Sequence, residues 1–481
     1  MNMLGAPEDK FREALENPGL QSAIYSATGR LMEKRRETVR PEVLPDYQEL
    51  REQAHAIKRH TLENLDYYLE QFEARVTARG GKVVWCKDGG EAVEFLARLA
   101  KEKDARLLAK VKSMTSEEIE LNEHLQRQGL EVVESDLGEF IVQLGRWRPY
   151  HIVAPALNLT RYDVADLFSR TLGVEKETEP ENQTKIARRV LREKFLAADV
   201  GVSGANFLVA DSGAIVLVTN EGNGRMCTTL PPVHVAIAGI EKIIPSAVHL
   251  AVFLKLLGRS ATGQPLTVYT SFLAGPRRES EIDGPREFYV VLIDNGRTRL
   301  LADRSKRESL FCIRCGACLN HCPVYRKIGG HSYPWVYSGP IGSVISPQYR
   351  GLGQDSWLPF ASSLCGACAE VCPVKIDLPR LLLELRSEIV KNVHRGYASR
   401  LEKLAFRFWS WLMRHPRLYE FAGAMASVVA GGGDDRRWMP RLPLAPNIGP
   451  LAAWTSQRDI PPLPAKSFRQ SWRTRGEGKR Q

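Results

Sequence analysis

The stretch CIRCGACLNHCP, residues 312–323, places four cysteines at offsets 0, 3, 6 and 10 and a proline after the last. A cubane iron–sulfur cluster needs thiolates converging from several directions, and three cysteines in one tight loop supply three corners. Gly316 permits the close wrap of backbone that such a loop requires. The fourth cysteine of the run is directed at a second cluster, as in two-cluster ferredoxins. A partner run follows at Cys365, Cys368 and Cys372, again with a proline behind the last cysteine. Seven of the nine cysteines thus lie in two short segments, a pattern suited to one-electron transfer.

With the exchange applied, cluster one takes Cys312, Cys315, Cys318 and Cys372. Cluster two takes Cys322, Cys365 and Cys368. Counting back from Cys372, a complete second run would hold a cysteine at position 362, where the chain has serine. Two outcomes stay open. One is a [4Fe–4S] cluster whose fourth ligand is a residue other than cysteine, Ser362 or Ser363 being candidates, or comes from a partner. The other is a [3Fe–4S] cluster, and the four-iron form is preferred. Structural zinc also uses C-x2-C pairs, but it takes four ligands per site and has no use for the continuous spacing. Cys86, in an apolar run read as a strand, and Cys227, read as a loop residue, are expected to be inert.

The rest of the chain bounds the context. At 481 residues it has room for two or three domains. A composition of 43% hydrophobic and 26% charged residues is that of a folded, water-soluble protein. The charged N-terminal stretch has no apolar segment of the secretory type. The apolar stretches Phe406–Met413 and Phe421–Ala430 are too short to span a bilayer. A cytoplasmic setting is expected, where thiols stay reduced and clustered cysteines bind metal. The net charge is +11, and from Asp377 onward 19 Lys/Arg face 9 Asp/Glu, a balance of +10. This basic end reads as a solvated tail or as a docking surface for an acidic partner or the inner face of an anionic membrane. No groove-reading motif accompanies the charge, so nucleic acid is not expected. No G-x-G-x-x-G follows a strand, so the dinucleotide fingerprint is missing.

Four regions are expected: 1–76 helical, 77–300 α/β, 301–390 carrying the cysteines in a small α-helical ferredoxin-like domain, and 391–481 basic and rich in Trp and Pro. In the first, Leu62, Leu65, Leu69 and Phe72 recur at helical spacing and predict one long amphipathic helix. In the second, Lys82–Cys86, Leu107–Lys112 and Glu131–Ser135 read as strands, Glu91–Lys101 as a helix, and Thr115–Glu118 as a capping box. Strands separated by helices argue for a parallel sheet. Asn206–Ala210 and Ala214–Val218 flank Asp211-Ser-Gly213 as a hairpin, and Phe288–Asp294 adds a strand. Asp377 and Pro379 open a helix with Leu381, Leu382, Leu385 and Ile389 on one face. Beyond Pro440 recurrent prolines predict an extended chain.

The double run, with GGHSYPWVYSGPIG (329–342) between its halves, closely resembles the lactate utilisation protein B family. VKSMTSEEIELNEHL (111–125) and GVSGANFLVADSGAIVLVTNEGNGR (201–225) resemble that family's LUD domain, and the basic end resembles its C-terminal extension. The resemblance implies electron transport during oxidation of L-lactate to pyruvate, in concert with separate subunits that do the chemistry. It carries over Cys312, Cys315, Cys318, Cys322, Cys365, Cys368 and Cys372 as cluster ligands. The cysteine pattern alone is shared with iron–sulfur subunits of glycolate and glycerol-3-phosphate oxidation, which stand as alternatives. LUD domains are similar to the sugar-isomerase and CoA-transferase folds, where a loop glutamate can act on substrate, and Glu221 is the equivalent candidate for a catalytic LUD domain. The simpler reading of Asn220–Gly224 is a turn. His331 and Tyr333 are candidates to gate a cluster or contact a partner, and packing is the simpler role for both.

Overall fold

Among the described residues ten strands carry the architecture: β1 (Lys82–Cys86), β2 (Leu107–Lys110), β3 (Glu131–Glu134), β4 (Val200–Ser203), β5 (Phe207–Val209), β6 (Ala214–Thr219), β7 (Val233–Gly239), β8 (Ile243–Ile244), β9 (Tyr269–Leu273) and β10 (Glu287–Ile293). The structure is a computed structural model and describes residues 6–393, 400–429 and 467–477. The chain divides into two units at Ile389/Val390.

In the first unit six strands form one sheet in the order β1-β10-β7-β4-β2-β3, and every pairing is parallel. Its central strand β7, VHVAIAG, is buried at every position, as expected for a parallel sheet covered on both faces. The expected hairpin is present as β5 and β6, paired antiparallel around Gly213 at φ 67°. It belongs to a second sheet, ordered β8-β5-β6-β9. One continuous apolar cluster runs from the N-terminal helices through this second sheet into the cysteine loops, so these loops share a core with the α/β layer.

Three local expectations need correction. The N-terminal region holds the helices Glu8–Glu16, Pro18–Val39, Tyr47–Glu63 and Leu65–Ala78, not one long helix. Leu62 and Leu65 are separated by Asn64 at φ −126°, which ends one helix and starts the next; all four apolar residues are still buried. The helix near Thr115 starts at Met114, because the Ser113 hydroxyl takes the capping role by accepting the Ser116 N–H. Cys227 lies in the helix Asn223–Thr229, not in a loop.

The helix Leu378–Glu388 is opened as expected by Asp377, which accepts the Arg380 N–H, and it buries Leu381, Leu382 and Leu385. The second unit contains the helices Arg400–Arg414, Pro416–Val429 and Phe468–Glu477. The expected extended course beyond Pro440 lies outside the described residues up to 466. The sequence after Pro464 has no further proline, and within it the described residues Phe468–Glu477 form a helix. Among the described residues no helix is long and apolar enough to cross a membrane.

Candidate metal centre

Two loops repeat the same backbone pattern. In the first, Arg314 (φ 60°) and Gly316 (φ 74°) are left-handed, and Gly316 begins the short helix Ala317–His321. In the second, Leu364 (φ 54°) and Gly366 (φ 86°) are left-handed, and Gly366 begins the helix Ala367–Glu370. Left-handed backbone at a non-glycine residue costs about 1–2 kcal/mol and recurs where a site imposes it. In this alignment Ser362 corresponds to Cys312, Cys365 to Cys315, Cys368 to Cys318 and Cys372 to Cys322. The two short helices pack against each other, which brings the loops together.

The thiols sort into two overlapping neighbourhoods. Cys315 is acted on by Cys372 and Cys312, and Cys372 by Cys312. Cys322 is acted on by Cys365, and Cys368 by Cys322 and Cys365. Cys318 stands between, acted on by Cys312, Cys315, Cys368 and Cys372. Backbone N–H groups of Arg314, Tyr325 and Ile376 donate to the sulfurs of Cys312, Cys322 and Cys372 at 3.4–3.5 Å. Burial pushes the Cys372 thiol up to about 11 and the Cys368 thiol up to about 12. Thiolates here therefore need a metal partner, and coordination to iron deprotonates a thiol outright. Among the described residues no three His, Cys, Asp or Glu side chains converge as a single ion requires. A cubane is wider than an ion, because sulfide bridges its irons, and it takes thiols held further apart.

A group of buried charges adjoins the first loop. Lys58, Lys242 and Arg314 all interact with Cys312. Burial pushes Lys58 and Lys242 down to about 8, with Glu241 opposing. Burial also works against ionised Glu241, but Arg297, Lys242 and Arg314 outweigh it and hold that carboxyl at about 2. Arg297 grips Glu118 through two hydrogen bonds of 2.9 Å and Glu241 through one of 2.5 Å. Tyr337 donates to Glu118 at 2.7 Å, and Lys58 donates to the Glu241 carbonyl. Among the described residues, both terminal nitrogens of Arg314 are buried without a hydrogen-bond partner, and Nη2 is 3.8 Å from Glu241. The anionic sulfur of a cluster held by Cys312 is the kind of acceptor these donors lack, so the residues present fit the group. On the other side, Arg51 donates to the carbonyls of Cys372 (2.9 Å) and Glu370 (2.7 Å), and Arg35 to that of Val371 (3.2 Å).

Sequence reading missed Lys58, Lys242, Glu241, Arg297, Arg35 and Arg51. They reach the loops from β-sheet connections and N-terminal helices far along the chain, and no local signal marks them. Arg314, inside the motif, was the one visible hint.

The remaining candidates lie apart. Glu221 sits at the rim of a cleft of about 510 Å³ that Lys112, Lys242 and Arg314 also line. Although the residue is exposed, desolvation of its carboxyl at the cleft and the charge of Asp136 raise it to about 7, against the Leu137 N–H that donates to it. Tyr333 is buried against Tyr325 and Trp357, with Cys322 and Cys318 within electrostatic reach. His331 Nε2 hydrogen-bonds the Arg148 carbonyl oxygen at 2.8 Å. Cys86 ends β1, buried, with its thiol raised to about 11 by burial and nearby carboxylates. Cys227 is buried, and its thiol donates to the Ser135 hydroxyl.

Comparison with known proteins agrees with this layout. The family model of the LUD domain matches residues 69–293, that of the 4Fe-4S dicluster domain residues 308–376, and that of the C-terminal region of lactate utilisation protein B residues 384–477. The fold is accordingly an α/β LUD domain followed by an iron–sulfur dicluster domain. Lactate utilization protein B of Bacillus pumilus (strain SAFR-032) is 43% identical over 466 residues, covering 97% of this chain and 96% of its own. The protein of the same name from Bacillus cytotoxicus is 42% identical over 470 residues, covering 98% and 97%. A crystal structure of a DUF162 family protein from Deinococcus radiodurans covers 48% of this chain at 13% identity, and its TM-score of 0.28 is too low to support an argument. On identity sustained over nearly its whole length, the chain belongs to the lactate utilisation protein B family.

Proposed function

We propose that this protein takes part in lactate utilisation by relaying electrons through two iron–sulfur clusters, during oxidation of L-lactate to pyruvate by a system that includes separate subunits. The observation that supports this most directly is the interleaving of thiols from two repeated loops. Cys312, Cys315, Cys318 and Cys372 would hold a first [4Fe–4S] cluster, and Cys322, Cys365 and Cys368 a second one of the same type. Each cluster, when bound, passes one electron at a time; the protein supplies the thiolates, excludes water from the first site and surrounds it with cations. The working division of the chain is 1–76, 77–300, 301–390 and 391–481, with the basic last region as the surface for an acidic partner or the inner membrane face in the cytoplasm. The test is co-purification with the untagged partner subunits under anaerobic conditions, followed by L-lactate. Reduction of the clusters, lost together with growth on lactate in Cys315→Ala, is the expected outcome. Normal growth of that variant would overturn the relay.

A second reading is favoured by the cleft, where Lys242 and Arg314 adjoin both the cavity and the first cysteine loop. There the LUD domain would bind a small carboxylate itself. Glu221 is neutral below about pH 7 and charged above it, so anion binding should weaken as pH rises through 7, and Glu221→Gln should flatten that dependence. Oxidation of lactate by the isolated chain with an artificial acceptor would favour this reading over a pure relay.

A further inference from the structure

The second loop differs from the first at one ligand position, and the structure shows what occupies it. The Leu364 N–H donates to Ser362 Oγ at 3.2 Å, the counterpart of the Arg314 N–H that donates to Cys312 Sγ at 3.4 Å. Both donors are left-handed residues, each is followed by a cysteine, and each cysteine is followed by a left-handed glycine that starts a short helix. The serine oxygen therefore stands to Cys365 and Cys368 as the Cys312 sulfur stands to Cys315 and Cys318. From this geometry we infer that Ser362 Oγ is the fourth ligand of the second cluster. The inference rests on the two-cluster reading above and adds the identity of its missing corner.

The backbone that presents Ser362 is held in place. Arg386 donates to the Ser362 carbonyl at 2.9 Å and to the Pro359 carbonyl at 2.8 Å. Arg386 thus anchors the backbone at Ser362 and three residues before it. Ser363 is excluded by the same alignment. It corresponds to Ile313, which turns into the apolar core, and Ser363 itself is exposed.

The chemistry is a simple ligation. An Fe–O bond forms as the serine hydroxyl gives its proton to water, which reaches this side because Cys365 is exposed. No electron moves in that step. Alkoxide is a harder donor than thiolate and favours the ferric over the ferrous ion. One iron of the second cluster then differs from its three thiolate-bound neighbours, and the cluster is harder to reduce than an all-cysteine one.

Mössbauer and EPR spectra of the anaerobically purified, 57Fe-enriched full chain test this, with iron analysis alongside. The wild type should hold about eight irons per chain, one of them distinct in isomer shift. Ser362→Cys should keep the iron count, erase the distinct site and raise the potential of the second cluster, leaving the first unchanged. Ser362→Ala should lose one iron and give the S = 1/2 signal of an oxidised three-iron cluster. Retention of an unaltered four-iron spectrum in Ser362→Ala would overturn the inference, as would a three-iron cluster in wild type never exposed to oxygen. A Cys368→Ala control separates the two levels. If the wild type holds only about four irons, or if Cys368→Ala leaves every cluster signal intact, it is the two-cluster reading that fails.

Discussion

The two cysteine loops share a backbone and differ in what surrounds it. Around the first, Lys58, Lys242 and Arg314 approach Cys312, and Arg297 locks Glu118 and Glu241 beneath them. Around the second, Cys365 is exposed, and the charges named as acting on Cys322 and Cys368 are those of other cysteines, with no Lys or Arg among them. A repeated motif therefore does not give repeated electrochemistry. Reduction adds negative charge to a cluster, and buried cations favour the reduced form, whereas solvent exposure and ligand type tune the other site independently. On the relay proposed above, the first cluster would accept an electron inside the protein. The second, beside the exposed Cys365, would exchange one at the surface.

The largest expected effect comes from single cysteines. Cys315→Ala should remove the first cluster and Cys368→Ala the second, each with a loss of about half the iron. Equal loss of both clusters in either variant would show the sites to be one cooperative unit and would dissolve the comparison. Next comes the buried ion network. Arg297→Met leaves Glu118 and Glu241 buried without their partner, with side chains at 0% and 2% exposure. Breaking such a pair costs about 3–5 kcal/mol. Urea titration followed by visible absorbance and EPR should show the first cluster released at lower denaturant than in wild type, ahead of the second.

A smaller effect isolates charge from structure. Lys242→Met removes one cation beside Cys312 while keeping most of the side-chain volume. A unit charge within 10 Å at an effective dielectric near 20 is worth roughly 1.5–2 kcal/mol, which for a one-electron couple is on the order of several tens of millivolts. The first midpoint should fall by that amount in a redox titration, and the second should stay where it is. A shift of both would mean that the cations act on the pair as a whole.

Much of this contrast was hidden from the sequence. The cysteine spacing disclosed the metal chemistry because ligands three residues apart are local information. The parallel sheet was legible for a similar reason: KVVWC, LLAKVK and EVVES are apolar runs broken by helices, and Asp211-Ser-Gly213 announces a turn. Local cues also misled where two competed. Thr115 and Ser113 both offer caps and the earlier one won, and Asn64 interrupts a helical period that its neighbours continue. Of the cations around Cys312, only Arg314 lies within the motif; the other two could not have been read at all. Lys58 and Lys242 are placed by the packing of a helix and a strand connection against the loop, and neither carries a sign of burial in its own neighbourhood.

The finest test compares two glycines. Gly316 and Gly366 occupy the same position in the repeat and both are left-handed, at φ 74° and 86°. Alanine at either site incurs the left-handed penalty of about 1–2 kcal/mol. The surroundings then separate them. A Cβ on Gly316 would meet His151 Cε1 and Val153 Cγ2 at 3.1 Å, whereas among the described residues a Cβ on Gly366 meets nothing within 4 Å. His151 is held by the Val153 and Ala154 N–H groups that donate to its Nδ1, so it cannot yield without loosening that turn. Gly316→Ala should therefore destabilise the protein more than Gly366→Ala in chemical denaturation, and only the former should lower retention of the first cluster. Equal costs would mean that the ring and methyl over Gly316 move aside freely. The first site would then owe its difference from the second to charge and not to packing.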